Sequence, residues 1–185
     1  MSEIICNTSP IQYLHQLGLL HLLEGLAGQI TVPTAVVHEL EVGRRLGIGL
    51  PEIEAFPWVT VRSPNSIPVL RLVTDLGPGE TEVLALALEA EAPIAILDDA
   101  LARQVAELLK LRLTGTLGLL LDAKRKGLIA RVGPVLDELQ ALGFRVAAHT
   151  RTAVLKLAGE TTLHERSSKP DALFLTASRN NAGRD

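Results

Sequence analysis

The strongest constraint on this chain is a repeated alternation of short, largely apolar runs with longer stretches of helical periodicity. Ile4-Ile5-Cys6, Gln29-Ile30-Thr31-Val32, Trp58-Val59-Thr60-Val61, Pro93 to Leu97 and Leu113-Thr114 read as brief strands. They lack the strict in-and-out alternation of a sheet with one wet face. That pattern belongs to strands buried on both sides, as in a parallel sheet covered by helices. The fold class is therefore α/β.

The intervening segments carry helix signals. Asn7-Thr8-Ser9-Pro10 combines capping side chains with a proline whose missing N–H costs nothing in a first turn. Leu14, Leu17, Leu20 and Leu23 follow at three-residue intervals, with Gly18 and Gly25 as punctuation. Pro33-Thr34 opens a second helix through Val36, Val37 and Leu40, and the three glycines between Gly43 and Pro51 read as a loop or helix break. Gly77-Pro78-Gly79-Glu80 is a turn and helix start. Val83 to Ala90 behind it is apolar except for Glu89, which implies a helix buried on most sides. The next helix has Leu101, Val105, Leu108 and Leu109 inward, with Arg103 and Glu107 as an outward i,i+4 pair. Two more helices fall around Leu117 to Lys126 and Gly133 to Leu142. Ser63 to Leu76 shows no clean period. Residues 1–160 form one domain, and the Ser-, Thr-, Asn- and Arg-rich residues 161–185 read as a disordered tail.

Composition narrows the class further. With 185 residues, 47% hydrophobic but only 3% aromatic, the core must be aliphatic. A net charge of −3 argues against a basic coat protein that binds nucleic acid through many phosphate contacts. One cysteine excludes a disulfide framework and fits a reducing cytosol. Cys6 itself reads as a small core residue. The N-terminal residues lack the pattern of a signal peptide, and no apolar run approaches the roughly 20 residues of a membrane span. The expectation is a cytoplasmic protein with no membrane contact.

Sites in open parallel sheets lie beyond the carboxyl ends of the strands. Two strand ends carry polar clusters, Asn7-Thr8-Ser9 and Asp98-Asp99, and Glu39 and Glu80 sit among apolar helix neighbours. Each has a plainer reading: Asn7 and Asp99 as helix caps, Glu80 as a first-turn acid, Glu39 on a solvated face. Gathered together, however, such acids repel one another unless a cation joins them. An oxygen-only donor set suits Mg²⁺ or Mn²⁺, ions that activate water and stabilise phosphoryl displacement. The five histidines show no ligand spacing. Lys124-Arg125-Lys126 suits the end of a helix. Arg44 and Arg103 are the better candidates for contacts to a nucleic-acid backbone.

The segments IICNTSPIQYL, ITVPTAVVHEL, LGPGETEVLALALE, AILDDALARQVAELL and LTGTLGLLLDAKRKGLI, in that order, resemble the PIN-domain family of metal-dependent ribonucleases, in a toxin-like branch. The likeness runs from about Ile4 to Glu160. It implies a three-layer α/β/α sandwich with a central, mostly parallel sheet and an acidic pocket for one or two divalent ions. Glu39, Glu80 and Asp98 correspond to its catalytic carboxylates. Asn7, Glu39, Glu80, Asp98 and Asp99 are the implied metal-binding set. Thr114 and Thr116 lie beside the pocket as substrate-binding candidates, with Thr8, Ser9, Arg44 and Arg103. The family's first acid is normally Asp, and here it is Asn7, an oxygen donor without charge.

Three functional readings follow. The first is a Mg²⁺- or Mn²⁺-dependent ribonuclease, the toxin of a toxin–antitoxin pair. The resemblance implies RNA as substrate, a small antitoxin protein as partner, and a homodimer. The second is a catalytically weakened or inactive module that binds RNA or protein, with Asn7 marking a decayed site. A phospho-receiver fits less well, since receivers carry their acid pair where this chain has Asn7. Among leucines 17, 19, 20, 22 and 23, two outcomes are open: an exposed patch that dimerises, or a filled core. No G-x-G-x-x-G follows the first strand, which removes a dinucleotide-binding enzyme.

Overall fold

The computed structural model describes residues 3–66 and 75–160. Five strands form one sheet: β1 (Glu3–Cys6), β2 (Ile30–Pro33), β3 (Val59–Arg62), β4 (Pro93–Ile96) and β5 (Arg112–Thr114). Every neighbouring pair is parallel, in the spatial order β3-β2-β1-β4-β5. Helices α1 (Thr8–Gln16) and α2 (His21–Ala27) lie between β1 and β2, and α3 (Thr34–Arg45) follows β2. α4 (Pro78–Glu89) leads into β4, and α5 (Ala100–Leu108) joins β4 to β5. α6 (Thr116–Arg125), α7 (Val132–Ala141) and α8 (Ala148–Leu157) complete the described chain. The expected tail, 161–185, lies outside the described residues, as does most of the segment without a clean period.

Both faces of the sheet are covered. Successive strand residues point to opposite sides, yet Ile5 and Cys6 are each fully buried, and all four residues of β2 are buried. The chain steps outward from β1 to β2 and β3, then returns to the other side of β1 as β4. That reversal opens a crevice beyond the ends of β1 and β4. The Asn7 N–H donates to the Ile96 carbonyl at 3.2 Å and ties the two strand ends together.

The apolar helix is α4. It packs on β1, β2 and β4 with α3 and α5 alongside, so all five residues from Val83 to Ala87 are buried. Truncating fully buried Leu84 to Ala would cost about 2–5 kcal/mol, because so dense a site collapses only partly around the gap.

Local expectations are revised in four places. Gly18 does end α1, at φ +69°, and the Leu19 N–H returns to the Leu14 carbonyl at 2.7 Å. Gly25, by contrast, lies inside α2, where Leu128 packs 3.1 Å from the place a Cβ would occupy. Gly43 likewise continues α3, with the Leu50 side chain filling the space above it. In α5 Val105 and Leu109 do pack against the core, but the fully buried stripe is Ala102 and Ala106, and Leu108 is 82% exposed. The inward face is set by these small residues, which let the helix approach closely. Helix α8 was not foreseen; its sequence mark is Gly159 beyond the last turn, at φ +69°. The early leucines fill the core: Leu20, Leu22 and Leu23 are buried, and Leu17 and Leu19 pack against them.

Candidate functional site

The crevice holds two groups of carboxylates. The first is built on β1, α3 and α4. Asn7 is 1% exposed and stands at the N-cap of α1, but makes no capping bond. Its Nδ2 instead donates to Glu80 Oε1 at 2.9 Å. Its Oδ1 is buried without a hydrogen-bond partner among the described residues. Glu39 accepts from the Thr8 hydroxyl through one oxygen and from the Gly79 N–H at 2.8 Å through the other.

Gly79 explains why the helix opens as Gly-Pro-Gly-Glu. A Cβ at this residue would lie 2.7 Å from Glu39 Oε2, 2.8 Å from Asn7 Oδ1 and 2.9 Å from Glu39 Oε1. Three oxygens thus ring a small space that any side chain at residue 79 would fill. Gly77 is needed for the same kind of reason, since the Glu80 carboxylate lies against it. Pro78 then starts the helix at no cost in hydrogen bonds.

The second group lies beyond β4. Asp98 Oδ1 accepts from the Thr116 N–H at 2.8 Å, and Oδ2 accepts from the Thr116 hydroxyl at 2.6 Å. Thr116 is fully buried and is the first residue of α6, so Asp98 caps that helix from another strand. Burial pushes the Asp98 carboxyl above the ordinary carboxylate range, although both Thr116 bonds and the nearby Arg103 charge pull it down. Gly115 leaves room: a Cβ there would lie 2.7 Å from Asp98 Oδ1 and 3.0 Å from the Leu97 carbonyl. Arg103 donates to that same carbonyl at 2.9 Å, in place of the expected outward pairing with Glu107. Burial, with the Asp98 charge, also pushes the Cys6 thiol up, as befits an unreactive core residue.

The remaining candidates divide. Thr8 belongs to the first group, and Thr114 borders a cleft beside Asp98. Ser9 makes no side-chain hydrogen bond into the crevice among the described residues. Asp99 accepts from the Ala102 N–H at 2.8 Å and so caps α5. Arg44 donates to the Pro51 carbonyl at 3.1 Å, which secures the loop after α3. The sequence reads Gly77 and Gly79 only as a turn and helix start and gives Gly115 no role, whereas all three make room for crevice oxygens. Their signal was position, each lying within three residues of an acid or a threonine of the crevice.

A divalent ion can be tested against this arrangement. Among the described residues no three His, Cys, Asp or Glu side chains are grouped to hold one. The first group nevertheless fits a hard cation through an amide and a carboxylate. Among the described residues Asn7 Oδ1 is a buried acceptor with nothing to accept, and the three atoms nearest the space over Gly79 are all oxygens.

A family model described as the PIN domain matches residues 3–160. The chain belongs to the PIN-domain family. No curated protein matches it. The all-parallel sheet flanked by helices agrees with that family's fold. PIN domains are in general nucleases that depend on divalent metal, which gives this PIN domain a coarse nuclease assignment. No helix among its described residues is long and apolar enough to cross a membrane.

Proposed function

We propose that this PIN domain is a Mg²⁺- or Mn²⁺-dependent ribonuclease, the toxin of a toxin–antitoxin pair. The observation that carries the reading is the ring of Glu39 and Asn7 oxygens over Gly79, beyond the end of β1, with the carboxylate Asp98 just past the end of the neighbouring strand β4. Asn7, Glu39 and Glu80 would hold the ion, with Asp98 and Asp99 at the neighbouring strand end. A divalent ion bound there supplies positive charge to a phosphodiester and lowers the pKa of water.

The chain's own residues do the rest. Thr116 fixes both oxygens of Asp98, so the carboxylate faces the crevice in one orientation without reorganising. Thr8 and the Gly79 N–H do the same for Glu39. Arg103 and Thr114 border the cleft beside Asp98, where a substrate phosphate is positioned. The proposal extends to a cytoplasmic protein that acts on RNA as a homodimer and is restrained by a small antitoxin protein.

A second reading is a weakened or inactive binding module, and one bond favours it. The Asn7 amide donates to Glu80, which an ionised Asp could not do. Glu80 thereby takes a neutral donor from Asn7, and Glu39 takes its own from Thr8 and the Gly79 N–H.

Thermal melts separate the readings. A metal that binds only the folded chain must raise the midpoint. The nuclease reading expects a rise with millimolar Mg²⁺ or Mn²⁺ over chelator, its loss in Asp98→Ala, and metal-dependent cleavage of RNA. No shift and no cleavage would leave the binding module. A shift with cleavage only in Asn7→Asp would show that the amide has silenced the chemistry. The toxin role is tested by growth arrest on expression, relieved by Asp98→Ala.

A further inference from the structure

The C-terminal part of the chain builds a second wall beside Asp98. Gly143, at φ +94°, ends α7, and the Phe144 N–H returns to the Leu139 carbonyl at 3.0 Å. The Phe144 ring then meets Tyr13 of α1 edge-on, with centroids 5.0 Å apart and planes at 86°. This contact pins the loop, and the next residues, Arg145-Val146-Ala147, lead straight into α8. Between this wall and the end of β5 lies a cleft of about 390 Å³, bordered by Asp98, Arg103, Thr114, Arg145 and Thr150.

Its charge points to the kind of ligand. Arg103 spends one N–H on the Leu97 carbonyl and its charge also acts on Asp98, but among the described residues its other N–H groups have no hydrogen-bond partner. Arg145 is exposed and joins no ion pair among the described residues. Two guanidinium forks flanked by threonine hydroxyls match the oxygens of a phosphate. A neighbouring recess of about 410 Å³, also bordered by Thr114, offers a contrast. Its cations are already paired, Lys124 with Glu160 and Arg125 with Asp122. Free positive charge lies on the side of Asp98.

We infer that this cleft holds a backbone phosphate of single-stranded RNA next to the phosphate that meets the crevice carboxylates, with Arg145 as its main contact. The inference rests on the nuclease reading and extends it to residues outside the acidic crevice. Thr150, in the first turn of α8, donates its hydroxyl to the same phosphate, and Arg103 closes the inner side. The segment after α7 thereby becomes part of the substrate path.

The test uses the full chain in chelator, so that binding is measured apart from cleavage. The probe is a fluorescent single-stranded oligoribonucleotide of about ten residues, followed by anisotropy across a salt series. Arg145→Gln should weaken binding on the order of ten-fold, as loss of a charged hydrogen bond does. It should also reduce the slope of log K against log salt by about 0.7, the value for one phosphate contact on a single strand. Thr150→Val should weaken binding less, with the slope unchanged. Arg125→Gln, in the paired recess, should alter neither quantity, and all three variants should melt with the wild type. Wild-type affinity and slope in Arg145→Gln would overturn the inference, as would no binding by the wild-type chain. Neither result touches the nuclease reading, which fails only if metal-linked stabilisation and RNA cleavage are both absent.

Discussion

Asp98 and Glu160 are both carboxylates withdrawn from solvent, and they leave the ordinary range in opposite directions. Burial raises both. Around Glu160, whose side chain is 8% exposed, the opposing interactions win. The Lys124 ammonium donates to it, and so do the first N–H groups of α7, from Val132 at 2.7 Å and Gly133 at 2.8 Å. Its carboxyl falls to about 2. Among the described residues Asp98 has only Thr116 as a direct partner, with Arg103 nearby, and burial prevails. Glu160 is a finished clasp that joins α6, α7 and the chain after α8. Asp98 is left with negative charge that its surroundings do not fully compensate, the condition of a group that awaits a cation or a proton.

The sharpest way to test that contrast is to convert each acid to its amide. Asp98→Asn keeps an acceptor for Thr116 but removes the charge, and RNA cleavage should fall by about 10²–10³-fold, measured with saturating Mn²⁺. If cleavage survives, Asp98 is a helix cap and nothing more. Next comes Gly79→Ala. Its Cβ would occupy the space between Asn7 and Glu39, so the metal-linked rise in stability should vanish. At a metal concentration a hundred times the Kd, that rise is about 2.7 kcal/mol in the wild type. A calorimetric scan with and without Mn²⁺ reads it, and an unchanged rise would move the ion away from Glu39.

Glu160→Gln should cost about 1–3 kcal/mol in urea unfolding, because the lost bonds are charge-assisted and partly buried. The smallest effect is the pH dependence. Since the folded-state value of Glu160 is depressed, its stabilisation is complete above the unfolded carboxyl value of 4.5 and is lost as pH falls toward 2. Glu160→Gln should flatten the acid limb over that interval. Asp98 has the opposite sign. Its folded-state value is raised above 3.8, so its contribution declines as pH rises from there through the raised value. Asp98→Asn should therefore melt slightly higher than wild type at neutral pH while losing activity. A lower midpoint would break the comparison.

Much of this arrangement was legible in the residues. The five apolar runs became five strands, and the glycine-opened apolar segment became the buried α4. Strand-end acids were found because a parallel sheet directs its sites to that edge. What stayed illegible were choices between partners. Asn7 and Asp99 each stand one residue before a helix and look alike as caps. Asp99 is exposed and takes an N–H in the first turn of its own helix, that of Ala102. Asn7 is buried beside a carboxylate 73 residues away and donates to it instead. Arg103 turned from Glu107 to the Leu97 carbonyl just beyond β4 for a comparable reason, because a buried acceptor gains more from a guanidinium than an exposed acid does.

The sequence by itself determined the five strands and most of the helices, their parallel pairing and the edge of the sheet where acids collect. Those features follow from the spacing of apolar residues and the chemistry of turns, which act over a few neighbours. Tertiary structure decided which acids are finished and which are left open. A carboxylate's state depends on the donors brought to it from distant elements and on the water taken away. Lys124 and the α7 N-terminus complete Glu160 only because α6, α7 and α8 pack together. Asp98, at the strand reversal, meets one threonine and a glycine's empty space.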